Sequence, residues 1–194
     1  MAASPRERHA QEQIDFSAFH ERAAVCRVYS SNAVPGFFQT TAYATALLRA
    51  ITDFQGTPDD IDEAVAARLA RGRLLHEGGH RFVVLMEEWV LRARIGDRET
   101  MADQLGHLLR VLPLPSVSLG VIPFTAERLV WPLEAFYVFD DGHVVVETLT
   151  AEINIRQPRE VSDYRAAFAR LGRHAVHGAR ARALINAAID ALGC

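Results

Sequence analysis

Apolar residues recur at helical spacing through both ends of this chain, and alternate or run together only in between. Phe16, Phe19, Ala23 and Cys26 follow that spacing and predict a helix from about Phe16 to Tyr29. Val34-Pro35-Gly36 then reads as a turn, because proline fixes φ and glycine accepts the left-handed region. Tyr43, Ala44, Leu47 and Leu48 share one face of a second helix, about Thr40 to Ala50. Thr57-Pro58-Asp59-Asp60 combines a capping threonine, a proline at the first helical position and acids in the first turn. It predicts a third helix reaching about His76, stopped by Gly78-Gly79. Arg81 to Met86 is a short apolar β segment, Glu87 to Ile95 reads as helical, and Glu99 to Leu112 is amphipathic, with Met101, Leu105, Leu108, Leu109 and Leu112 aligned.

The texture changes at Pro113. Val117, Leu119 and Val121 alternate with small residues as in a half-buried strand. Ala135–Phe139 and Val144–Leu149 flank Asp140-Asp141-Gly142, a hairpin pattern with Asp-Gly at its turn, and Glu152–Ile155 extends the strand region. Helices at about Glu160–Leu171 and Ala179–Leu192 close the chain. Helices, then antiparallel strands, then helices predict an α+β fold: an antiparallel or mixed sheet of about four to five strands packed against several helices. The expected organisation is a flexible arm over residues 1–15 and a single ligand-binding-like domain over 16–194.

Composition narrows the function classes. At 194 residues with 49% hydrophobic content the chain can build a core, and a net charge of −3 provides no global attraction to nucleic acid or anionic lipid. Arginine supplies the basic charge, much of it between Arg68 and Arg110, where spacing along helices fits a solvated face as well as a local basic patch. The two cysteines, Cys26 and Cys194, form no disulfide framework or metal-binding pair, the start of the chain has no apolar run, and none of the apolar stretches is long enough to span a bilayer. These features predict a cytoplasmic protein.

A set of motifs in order carries a resemblance. Val34-Pro35-Gly36-Phe37-Phe38-Gln39-Thr40 is followed by Tyr43-Ala44 and Leu47-Leu48; Val84 precedes Glu88, Leu91 and Arg92, with Gly96 beyond. Met101, Gln104-Leu105 and Leu108-Leu109 come next, then Val117 to Phe124, then Glu147 after a valine run. Over about Phe19 to Leu192 the chain resembles the uncharacterised C-terminal, effector-binding-like domain of actinobacterial Xre-type helix-turn-helix regulators. It departs from that pattern at Gly72, where the family has glutamine after arginine, at Trp89, and at Trp131-Pro132-Leu133. The resemblance implies a stand-alone effector domain, or one cut from a longer regulator, because the segment before Phe19 is too short for a helix-turn-helix reader. It implies a small-molecule ligand, a regulator protein or a second copy as partner, no direct DNA binding and no membrane.

Candidate chemistry is sparse. Glu88, at the end of an apolar strand and beside Trp89, has the setting of a carboxylate with a raised pKa, suited to general acid–base work; it equally fits an i, i+4 pair with Arg92. Gln39, Thr40 and Tyr43 offer hydrogen-bonding groups at a turn-to-helix junction, where Thr40 or Thr41 also serves as a cap. With Trp89, Arg92, Phe136 and Glu147 they make up the expected ligand-binding set, between the sheet and the helices. His174 and His177 lack the further ligands of a metal site, and no nucleophile elbow, phosphate loop or dinucleotide fingerprint is present. No metal or cofactor is expected. Three readings follow: a sensing or binding module in regulation or secondary metabolism; a cyclase- or isomerase-type enzyme recruited from the same fold, with Glu88 as general acid or base; or a protein–protein scaffold, which needs no polar pocket.

Overall fold

The computed structural model describes residues 19–56 and 61–193. The expected arm over residues 1–15 and the Thr57–Asp60 start signal lie outside them. The strands are β1 (Val25–Ser30), β2 (Arg81–Glu87), β3 (Val117–Ile122), β4 (Phe136–Phe139), β5 (His143–Glu147), β6 (Glu152–Ile155) and β7 (Val176–His177). The helices are α1 (Thr41–Gln55), α2 (Ile61–Gly72), α3 (Glu88–Arg92), α4 (Arg98–Val111), α5 (Pro158–Gly172) and α6 (Gly178–Asp190).

The fold is α+β, but its sheet is larger than expected and mixed. Seven strands run in the order β6-β5-β4-β1-β2-β3-β7. β1, β2 and β3 are mutually parallel, and the remaining pairings are antiparallel. The expected helix from Phe16 to Tyr29 is overturned: helix is present at 19–22, and Val25 to Ser30 is the central strand. β1 is buried from both sides, Cys26 and Val28 on one face and Tyr29 on the other. A strand covered on both faces loses the alternation that would betray it, as parallel strands commonly do.

Helices cover both faces. On the first, Tyr43 of α1, Met101, Leu105 and Leu108 of α4, and Ala181, Ile185 and Ala188 of α6 pack against Cys26, Val28, Phe82, Val84, Met86, Leu119 and Val121. On the second, Val161, Phe168 and Leu171 of α5 cover Tyr29, Leu85, Phe136, Val138, Val144 and Val146. α2 stacks outside α1, with Ile61 and Val65 against Ala44 and Leu48. Capping fits the sequence signals: Thr40 Oγ1 accepts the Tyr43 N–H, Asp97 Oδ1 accepts that of Thr100, and Gly56 ends α1 at φ 63°.

The hairpin exists, but its tight centre is Asp140-Asp141, at φ 46° and 62°, closed by Gly142 N–H on Phe139 O at 3.1 Å. An aspartate tolerates this region better than most residues. Asp140 gains by it, because its carboxylate accepts the Val25 N–H at 2.8 Å and the Ala24 N–H at 3.2 Å, joining the turn to the start of β1. Among the described residues no helix is long and apolar enough to cross a membrane.

Candidate functional site

The turn after β1 organises the first polar cluster. A 3-10 turn over Gly36–Phe38 brings Gln39 back beneath Val34, so that Gln39 Nε2 donates to Val34 O at 2.7 Å. Tyr43 Oη accepts the Val34 N–H at 3.3 Å, and burial holds its pKa above the ordinary tyrosine value. Gln104 of α4 completes the frame: its Oε1 accepts the Thr40 N–H and its Nε2 donates to Phe38 O, both at 2.8 Å. Thr40 and Tyr43 are thus committed to the fold.

Gln39 has one more oxygen contact, and it leads outward to charge. Its Oε1 accepts from Arg68 Nη1 at 3.0 Å. Arg71, one turn further along α2, is 6% exposed. Burial first, and then the charge of Arg68, push the Arg71 pKa below the ordinary guanidinium value, while Tyr137 and Glu147 act in the opposite sense. Arg68 Nε is buried with no hydrogen-bond partner. An unsatisfied buried donor of this kind costs about 1–3 kcal/mol. Gly36 lies beside both guanidinium-bearing chains; a Cβ there would stand 3.7 Å from Arg71 Nη2 and 3.8 Å from Arg68 Cγ.

An aromatic wall adjoins the arginines on the first face of β4. Tyr137 and Phe139 stack with an interplanar angle of 8°, and the His20 ring meets them edge-on at 5.8 and 5.0 Å and tilts against Phe37 at 5.7 Å. Burial, and then Glu147, push the Tyr137 pKa up. Glu147 itself is exposed at the end of β5, paired in register with Glu152.

The second polar cluster sits at the carboxyl end of β2. Glu88 is buried, and its Oε1 accepts from Arg92 Nε at 3.0 Å and Nη2 at 2.9 Å. Its Oε2 accepts the Phe124 N–H at 3.0 Å. Both oxygens are engaged. Trp89 is 52% exposed, so the indole does not seal the carboxylate in an apolar pocket. Glu87 points the other way, accepting from Tyr29 Oη at 2.8 Å and from Arg128 Nη1 at 2.7 Å, with Arg128 Nη2 on its second oxygen.

The expected ligand-binding set is therefore not one constellation. Gln39 meets the arginines and Glu147 acts electrostatically on Arg71, whereas Glu88 and Arg92 form a separate pair. Phe136 lies on the second face, edge-on to Tyr164 at 5.0 Å, with the sheet between it and Tyr43. Sequence reasoning missed Arg68, Arg71, Glu87 and Arg128. The one available signal was the Arg68/Arg71 spacing, which puts both on one side of a helix.

The histidines are spent on structure: His174 Nε2 accepts the Leu129 N–H, and His177 Nδ1 bonds Leu119 O. Among the described residues no group of His, Cys, Asp and Glu is placed to hold a metal ion. An open groove of about 460 Å³ between Pro113, Leu119, His177 and Arg182 is lined by no residue of the Gln39–Arg68–Arg71 or Glu87–Glu88 clusters. Its walls are mostly apolar and hold no buried charge, so the arginine cluster is the stronger candidate.

Fold and site together define a three-layer α+β domain with a mixed sheet and an arginine cluster beside an aromatic wall. The chain belongs to a family described as a domain of unknown function, DUF5753, whose model matches residues 13–187. No curated protein matches it.

Proposed function

We propose that this chain is a small-molecule-binding, sensing domain, related to the effector halves of actinobacterial helix-turn-helix regulators and acting in regulation or secondary metabolism. Its signal would pass to a regulator protein or to a second copy of the chain. One observation carries the reading. The Gln39–Arg68–Arg71 cluster gathers directed polar groups beside the Tyr137–Phe139 stack on the first face of β4. A few convergent polar groups beside aromatic surface are the usual make-up of a ligand site. The catalytic alternative, a cyclase or isomerase using Glu88 as general acid or base, draws no comparable support, because Arg92 and the Phe124 N–H already occupy that carboxylate.

The test is native mass spectrometry of freshly purified protein, with extraction of anything bound, followed by thermal-shift screening against a metabolite extract. A co-purifying compound or a saturable rise in the unfolding midpoint is the expected result. A protein that is empty and unmoved by the extract overturns the reading.

A further inference from the structure

The geometry points to β6 as a pairing edge for a second copy of this chain, the two β6 strands running antiparallel about Asn154 and joining two sheets into one. The inference does not depend on the ligand reading above, which has its own test.

β6 (Glu152–Ile155) is the last strand of the sheet, and among the described residues β5 alone pairs with it. The hairpin between the two fixes which main-chain groups are left over. The Thr148 N–H donates to Ala151 O at 2.9 Å, so these residues form a hydrogen-bonded pair. Hydrogen-bonded and open pairs alternate along an antiparallel ladder. Ile153 and Ile155 therefore spend their N–H and C=O groups on β5, whereas Glu152, Asn154 and, next in the alternation, Arg156 turn theirs to the open side. Such a row is a template for another strand.

Charge selects an identical strand as the occupant. Glu152-Ile153-Asn154-Ile155-Arg156 is its own complement when reversed about Asn154. Two antiparallel copies in that register set each Glu152 opposite the partner's Arg156 and each Ile153 opposite the partner's Ile155. The outward residues then face one another, so the main-chain groups of the row gain partners. Moving the axis one residue either way sets Asn154 against Glu152 or Arg156 and loses both ion pairs. Glu152 Oε1 also accepts from Asn154 Nδ2 at 2.7 Å, and Arg156 lies 6.0 Å over the Phe19 ring. Neither contact has to break, because a carboxylate accepts several donors and a guanidinium has five N–H groups in its plane. On the opposite face Ile153 is 45% exposed, while Ile155 packs against the cluster beneath α5. Two Ile153–Ile155 pairs would extend the apolar surface of Val144 and Val146 across the join.

Sedimentation velocity of the full chain from about 1 µM to about 1 mM tests this; the upper end is needed because one strand pair buries little area and makes a transient dimer. Reversible dimerisation is expected, and a protein that stays monomeric throughout overturns the inference. Glu152→Arg and Arg156→Glu each turn two favourable pairs into two repulsive ones and should weaken association about tenfold. The two changes together restore opposite charges across the axis and should recover most of the lost affinity. Ile153→Lys, which sets a cation against the partner's Ile155, should weaken association as well. If that variant fails to fold by circular dichroism, the two reversals and their combination decide. A dimer indifferent to both reversals has its interface elsewhere and overturns the inference; so does a double variant no stronger than the singles. Hydrogen exchange checks for another occupant. The Asn154 amide should gain protection as concentration rises, and protection already complete in the monomer would show the edge covered from within the chain, against the inference.

Discussion

The Tyr29 hydroxyl at the end of β1 donates a 2.8 Å hydrogen bond to Glu87 at the end of β2, and Arg128, from the segment between β3 and β4, closes on the same carboxylate. Burial, and then the bond to Glu87, push the Tyr29 pKa well above the ordinary tyrosine value, so the phenol stays the donor at any physiological pH. Truncating Glu87 to alanine leaves a tyrosine hydroxyl and a guanidinium unpaired. The expected loss is about 2–3 kcal/mol, below the full value for a buried pair because the Arg128 side chain is 26% exposed. Tyr29→Phe should cost only about 1 kcal/mol. Urea denaturation followed by circular dichroism measures both, and a larger loss for Tyr29→Phe than for Glu87→Ala would contradict the assignment.

Gln104 is fully buried and ties α4 to the turn before α1 through two backbone groups, Thr40 N–H and Phe38 O. Gln104→Ala strands both, at an expected cost of about 2–4 kcal/mol. Gln104→Glu keeps the acceptor and, when protonated, a single O–H donor in place of the amide, and should lie between wild type and alanine near pH 5. Thermal midpoints of the three proteins check the order.

Gly120 on β3 faces His177 and Ala175 so closely that a Cβ would stand 2.6 Å from His177 Cε1 and 3.0 Å from Ala175 Cβ. Gly120→Ala is expected to cost about 1–3 kcal/mol by pushing β7 away from the sheet. The imidazole is tied to Leu119 O by a 3.2 Å hydrogen bond and makes the nearer of the two contacts. Adding His177→Ala should therefore recover part of the loss, and a double variant no more stable than Gly120→Ala would show that the imidazole contact is not the cause.

Two histidines set a pH dependence. Burial lowers the pKa of His143, partly offset by its 2.7 Å hydrogen bond to Asn154, and lowers that of His107, where Arg110 adds to the effect. In the unfolded chain both titrate near the ordinary value of about 6.5. The unfolded state then takes up protons first as pH falls, so the stability they contribute is complete above about pH 6.5 and declines through the lower folded-state values. Midpoints recorded from pH 7 to pH 5 should fall, and His143→Gln should flatten part of that fall. A midpoint rising toward pH 5 would reverse the sign of the argument.

Much of this architecture is legible in residue spacing. Met101, Leu105 and Leu108 announce α4, and the apolar run from Phe82 announces β2, because each element buries one stripe or a short block. β1 is misread because Phe19, Ala23 and Cys26 mimic a helical period while Val25 to Ser30 is buried on both sides. That single misreading also hides the parallel half of the sheet, since β2 and β3 extend a set that β1 begins. β7 has only Val176 and His177, too few to show any period. Within the site, Gln39 is recognisable as a polar residue at a turn, but its partner is 29 positions away on another helix. Only the packing of α2 against the 3-10 turn brings the two together.

The chain's two tryptophans, Trp89 and Trp131, are 52% and 73% exposed. Neither indole reports on the core. Intrinsic emission from the folded protein should already be red-shifted and should change little as the sheet melts, so a flat fluorescence trace would signify surface placement of the fluorophores rather than resistance to denaturant. Trp89 sits beside the Glu88 carboxylate that holds Phe124, and Trp131 three positions past Arg128, which Glu87 holds. Quenching by iodide or acrylamide would thus make these two residues an optical gauge of how firmly the segment after β3 is fastened.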